Sequence, residues 1–261
     1  MTRRMLLRWG ALLLVVAVLA VVFVQLGEWQ LRRLDERRAT NARVLEHSQQ
    51  QPQPYAQVMD ETIDDEDQWY PVTVTGTYTG ETYQARYRNQ DGAGTEVVSV
   101  LEADDGRLVL IDRGFIPRPQ GQPDPAPPAP PTGEVTVQGY VHRNERGRDN
   151  AITPHEFNIR LINSEAIGAS LGEELVDGYI TAQSSVPEDD PLLVPVALPS
   201  LDEGPHLSYA WQWFSFTLIA VIGVVVLIRA DIRDRRKAER RRARLAQRRE
   251  AEEAIAEPAD T

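Results

Sequence analysis

The chain has 261 residues, 28 Lys+Arg against 39 Asp+Glu for a net charge of −11, and no cysteine. Without cysteine there are no disulfides, no thiolate redox chemistry and no cysteine-ligated metal. The acidic excess falls on residues 28–208, with 31 acidic and 14 basic side chains, which argues against nucleic acid or anionic lipid as a ligand there.

Arg3, Arg4 and Arg8 precede an apolar run, Trp9–Val24 (WGALLLVVAVLAVVFV), which Gln25 and Leu26 extend to 18 residues. A second run, Trp211–Ile228 (WQWFSFTLIAVIGVVVLI), is also 18 long, softened by Gln212, Ser215 and Thr217. About 20 helical residues cross a hydrocarbon core, so each run spans once its flanks are counted. A cleaved signal peptide shares the basic head. The first run is long for one, however, and leads into GEWQLRRLDER, not a small-residue cleavage site, so it is expected to stay.

Orientation follows the basic residues. The segment Arg229 to Arg249 holds 11 of the 28 Lys+Arg, whereas none lies between Arg160 and Arg229. That contrast places the tail in the cytoplasm. Five arginines after the first run (Arg32, Arg33, Arg37, Arg38, Arg43) oppose it, but the contrast across the second span is larger. The expected layout is a cytoplasmic N-terminus (1–8), a span (9–27), an extracytoplasmic β-rich domain (28–208), a second span (209–228) and a charged cytoplasmic tail (229–261). The tail is a topology determinant suited to lipid headgroups. The expected location is the cell membrane.

After the first span, EWQLRRLDERRATNARVLEH continues as helix until SQQQPQPYAQ breaks it. Strands are expected at YPVTVTGTY (70–78), ETYQARYR (81–88), TEVVSVLEA (95–103) and RLVLIDRGF (107–115). Asp105-Gly106 marks a hairpin between the last two. Residues 117–131 hold eight prolines and predict an extended, solvated spacer, with a proline ligand for a recognition module as the alternative. EVTVQGYVHR (134–143) is the next strand and shares V-T-V-x-G with 72–76. A glycine inside a strand marks a bulge or a close backbone approach, so two of them point to a curled sheet or small barrel. NSEAIGASLG (163–172) predicts a short helix capped by Asn163 or Ser164, and GYITAQSS (178–185) a final strand. The fold class is therefore a membrane protein of α+β type: two transmembrane helices flanking one mainly antiparallel β domain with a short helix.

The residues supply no catalytic constellation. His47, His142, His155 and His206 lack metal-site spacing, and methionine occurs only at 1, 5 and 59. G-x-S-x-G, phosphate-loop and G-x-G-x-x-G patterns are missing. The chain is read as non-enzymatic; an enzyme anchored at both ends would need a clustered set of titratable groups. One histidine is unusual in its placement. His206 opens HLSYAWQWF at the threshold of the second span. A neutral imidazole beside Tyr209 and Trp213 is one way to hold a haem, iron on the nitrogen and rings on the macrocycle. A helix start within an interfacial Trp/Tyr belt accounts for the same residues. Arg33 and Arg37, one turn apart, suit carboxylates such as haem propionates, or lipid phosphate.

Three stretches together resemble one family. LGEWQLRRLDER (26–37) is similar to the L-G-x-W-Q-x-x-R signature of the Surfeit locus protein 1 family of cytochrome c oxidase assembly factors. RNQDGAGTEVVSVLEADDGRLVLIDRGFIP (88–117) resembles its central block, which ends in V-[ND]-R-G-[WF]-[IV]-P. GPHLSYAWQWFSF (204–216) resembles its closing motif, H-x-x-Y-[AL]-x-Q-W-F. The resemblance implies an assembly factor acting when haem a enters the catalytic subunit of the oxidase. That subunit and the haem a synthesis machinery are the implied partners, besides the bilayer. It also implies transient haem a binding, with His206 as ligand to the haem iron and Tyr209, Trp213 and Arg33 around the group. Gly27, Trp29, Gln30, Gln212, Phe214, Arg113 and Gly114 match motif positions too. Asp112 and Phe115 stand where many members have Asn and Trp, and the proline-rich segment and basic tail lie outside the shared pattern. A non-haem scaffold that steadies oxidase subunits is the alternative function.

Overall fold

The computed structural model describes residues 3–256 apart from 120, 122 and 124. It forms two units, one of Met1–Arg38 with Glu203–Thr261 and one of Ala39–Asp202.

The first unit is built from two long helices, α1 (Arg3–Ser48, whose last residues belong to the second unit) and α4 (His206–Ala256). Each carries an 18-residue window apolar enough to cross a membrane, with mean hydropathies of 2.7 and 2.2. The protein is a membrane protein with two spans. Along the spans, most apolar side chains remain exposed, as lipid requires. Buried or partly buried positions include a series spaced three or four residues apart: Trp9, Leu12, Val16, Ala20, Phe23, Gly27 and Gln30 on α1, with His206, Ala210, Trp213, Thr217, Ala220 and Val224 on α4. This spacing is the seam of two helices packed side by side. Their contacts run antiparallel. Phe23 meets Trp213 with ring centroids 5.5 Å apart, and Gly27 lies against Phe214. Arg38 grips the Glu203 carboxylate with two bonds of 2.8 and 2.9 Å. At the opposite end of α4's span, Arg235 pairs with Asp231 at 2.7 Å and holds that carboxyl below its ordinary range, with Trp9 and Arg8 adding to the effect.

The second unit is a small closed barrel. Its main strands are β2 (Pro71–Asn89), β3 (Ala93–Ala103), β4 (Leu108–Pro117), β5 (Glu134–His142) and β7 (Tyr179–Val186). Pairing runs β2–β3–β4–β7–β5 and returns from β5 to β2. Four of these five pairings are antiparallel, and β4–β7 is parallel. Two-residue strands β1 (Gln53–Pro54) and β6 (Asn158–Ile159) add to β2 in parallel, and helices α2 (Asp149–Ile152) and α3 (Ser164–Leu171) lie in the connections. The structure thus confirms a mainly antiparallel β domain and resolves its form as a barrel. The parallel β4–β7 contact leaves no local sequence mark.

The two V-T-V-x-G strands pair with each other, Val72↔Gly139, Val74↔Val137 and Gly76↔Val135. Each glycine sits where its strand turns onto a second neighbour. A Cβ at Gly76 would collide with the Glu102 carbonyl oxygen, and one at Gly139 with that of Thr181. The valines between them point into the barrel core with Leu101, Val109, Ile111 and Ile180. The strands expected at 70–78 and 81–88 are one 19-residue strand. Gly80, at φ 97°, and a register shift between Tyr78 and Thr82 bend β2 there without ending it. Helix α3 begins where expected, with the Asn163 side chain accepting from Ala166 N at 2.8 Å, and ends at left-handed Gly172.

The Gly139→Val variant is expected to lose about 2–3 kcal/mol of domain stability through backbone overpacking. Denaturant unfolding of the detergent-solubilised protein measures it, and an unchanged midpoint would contradict the close approach.

Candidate functional site

The chain reaches the second span through Gly204-Pro205. Gly204 is left-handed at φ 70°, and Tyr209 N donates to the Pro205 carbonyl oxygen at 3.1 Å, closing the first turn of α4. His206 is the first helical residue and is partly buried. Its Nδ1 lies 2.8 Å from Oε1 of Gln30 on α1. An amide oxygen only accepts, so Nδ1 carries the proton and donates; of the two neutral tautomers, this is the one with its lone pair on Nε2. A Cβ on residue 204 would stand 3.6 Å from that Nε2.

The expected site residues divide. Trp213 turns toward α1, stacking near Phe23 and lying 5.9 Å from Phe216, so three rings form one apolar cluster beneath the histidine. Tyr209 is exposed and makes no ring contact among the described residues. Arg33 is exposed and bonds Glu36 on its own helix at 2.8 Å. A solvated pair three residues apart contributes only a few tenths of a kcal/mol and exchanges readily for another carboxylate. The sequence reading gave Gln30 no role beyond a motif match and did not single out Phe23 or the Arg38–Glu203 clasp. The three- and four-residue spacing of Phe23, Gly27 and Gln30 was the available signal.

The central block has a different task. Arg113 is 3% exposed, and its guanidinium is engaged on all three nitrogens, with Ser99 Oγ a long 3.5 Å from Nη1. Nε and Nη2 hold Asp189, while Nη1 and Nη2 reach the carbonyls of Pro128 and Ala129 at 2.9 and 3.1 Å. Gln84 adds a bond to the Pro125 carbonyl. The proline-rich segment keeps the solvent exposure expected of it at Pro119, Gly121, Pro123 and Ala126, but it is also a strap fastened to the barrel through the carbonyls of Pro125, Pro128 and Ala129. Proline lacks an N–H but keeps its carbonyl as an acceptor, which is what Arg113 uses. Pro117 even closes β4 opposite Gly94. The connector after β7 is stitched down as well, Phe115 and Val194 exchanging backbone bonds of 2.7 and 2.9 Å.

Beside Arg113, the Asp112 carboxyl is buried, accepting from Thr181 Oγ1 and Gly114 N at 3.3 Å each. Burial, reinforced by the nearby Glu96 charge, raises its pKa well above the carboxylate range. Protonated, it is neutral and carries a donor, so it presents what an asparagine presents at this place. Glu96 is itself raised by burial, against the pull of Arg88. Arg88 forks onto Glu145 at 2.9 and 2.7 Å, and its Nε lies 2.8 Å from Glu96, a close charge contact without hydrogen-bond alignment. His142, between Trp69 (4.3 Å, edge-on) and Tyr179 (5.1 Å, stacked), is depressed by burial to about 4 and stays neutral.

A model of the SURF1 family matches residues 17–218. The chain belongs to the SURF1 family. Among curated relatives, an uncharacterised SURF1-like protein of Mycobacterium tuberculosis is 33% identical over 240 residues, covering 88% of this chain and 86% of its own. One from Mycobacterium bovis matches equally, and a SURF1-like protein of Monosiga brevicollis is 28% identical over 142 residues, about half of each chain. In this SURF1-family chain, His206, Gln30, Gly27 and Trp213 all lie within the matched residues.

Because Asp112 takes up its proton more readily when folded, its contribution to stability is full below pH about 4 and falls as pH rises toward its folded pKa. Replacing it by asparagine removes that loss. The melting temperature of Asp112→Asn relative to the parent is expected to rise between pH 4 and pH 7; a difference independent of pH would contradict a protonated Asp112.

Proposed function

We propose that this SURF1-family protein assists the assembly of a haem-copper cytochrome c oxidase, holding haem a transiently at His206 as the group enters the catalytic subunit. Family membership implies the oxidase-assembly role. The finer reading rests on one observation, an imidazole at a membrane threshold whose Nδ1 is bonded to Gln30 and whose Nε2 is left with its lone pair. Nε2 of His206 would be the atom to hold haem iron, a metal that takes an imidazole nitrogen supported by a bond on the other ring nitrogen. Haem supplies the metal that Nε2 would ligate and a flat apolar macrocycle. The remaining work is done by this chain. Trp213 and Phe23 would give an apolar floor, exposed Tyr209, one turn from His206, would cover the group, and Arg33 would exchange Glu36 for a haem carboxylate.

In this reading the protein sits in the cell membrane with both termini cytoplasmic and the barrel outside. It works beside the oxidase catalytic subunit and the enzymes that make haem a, and it carries out no reaction of its own.

Detergent-purified protein from cells that synthesise haem a is expected to show a haem a absorption band that His206→Ala removes. A band in neither protein, with haem supply confirmed, would favour a non-haem scaffold. A band in both would discard His206 as the ligand.

A further inference from the structure

We infer that Gln30 is a positioning residue that fixes the tautomer of His206; this rests on the reading of His206 as a haem ligand. An imidazole has two neutral forms, and only the one protonated on Nδ1 offers Nε2 as a ligand. Free in water, the ring favours the opposite form, with the proton on Nε2. Gly204 and Pro205 precede the ring and carry no acceptor side chain, and the hydroxyls of Ser208 and Tyr209 in α4's first turn make no hydrogen bond to it among the described residues. The acceptor comes from 176 positions away, as Gln30 Oε1 at 2.8 Å from Nδ1.

The packing places it there. Gly27, one turn before Gln30, lets α1 approach the Phe214 ring so closely that a Cβ would stand 2.5 Å from it. At that approach the side chain at 30 meets the side chain at 206. On the other side of the ring, Nε2 makes no hydrogen bond among the described residues, and a Cβ at 204 would stand 3.6 Å from it. One nitrogen is held and the other makes no hydrogen bond among the described residues, which is the arrangement of a metal-ligating histidine with its supporting acceptor.

The test begins without haem. Nitrogen-15 NMR of histidine-labelled protein, above the imidazole's titration range, reports which ring nitrogen bears the proton; the His206 signals are those lost in His206→Ala. The parent is expected to show a protonated Nδ1 and a pyridine-type Nε2. Gln30→Leu is expected to move His206 toward the Nε2-protonated form, whereas Gln30→Glu, which keeps an acceptor oxygen, retains the parent tautomer. With haem a supplied, Gln30→Leu is expected to bind it about tenfold or more weakly. A parent already protonated on Nε2, or a tautomer indifferent to Gln30→Leu, overturns the inference even if the haem band is present. An absent haem band with the expected tautomers overturns the haem reading and leaves the assignment of Gln30 intact as a structural fact.

Discussion

The approach of α1 to α4 at Gly27 and Phe214 is the contact on which the candidate site depends. Lipid tails are as apolar as the helices, so no hydrophobic force draws two spans together; close packing must do it. A small residue at 27 permits that packing, and the ring cluster of Phe23, Trp213 and Phe216 extends it by a turn. Everything that makes His206 more than an interfacial histidine follows from this proximity. Gln30 reaches Nδ1 because the helices are near enough, and Arg38 clasps Glu203 further along the same seam.

The barrel is held by a different balance. It has no disulfide, and its strongly acidic surface repels itself, so closure relies on packed valines and on strands that bend at Gly76 and Gly139. Its buried ionisable groups are arranged in compensated sets. Arg113 answers Asp189 and two strap carbonyls, and Arg88 answers Glu145 and Glu96. Breaking one such pair leaves a buried charge uncompensated, which costs about 3–5 kcal/mol, more than an exposed ion pair contributes. Burial raises the pKa of Asp112, and taking up a proton would remove that cost.

Much of this was legible in the residues. The two spans, the hairpin at Asp105-Gly106, the short helix with its Asn163 cap and the paired V-T-V-x-G bends all have local signals, and each appears in the fold. What was illegible is long-range. The parallel contact of β4 with β7, the strap under Arg113 and the bond from Gln30 to His206 join residues tens to hundreds of positions apart, and no periodicity encodes them. The break expected between 78 and 81 failed for a related reason. Gly80 signals a departure from regular strand, but whether the chain turns back or only kinks is decided by its neighbour β3, which pairs on both sides of the kink. At the candidate site, composition and spacing gave the belt and the histidine. Family resemblance alone set Gln30 beside them as a matched position, and only the packed helices give it something to do.

The central claim is that the two spans pack so that the first motif meets the closing motif. Because the chain has no cysteine, the pair Gly27→Cys with Phe214→Cys can be introduced cleanly and oxidised in native membranes. The bulk removed at 214 makes room for the side chain added at 27. This account predicts rapid intramolecular crosslinking for that pair and none for Gly10→Cys with Phe214→Cys, since nothing lies within 4 Å of a Cβ at position 10. A 27–214 pair that stays reduced while both thiols react with a small maleimide would contradict it.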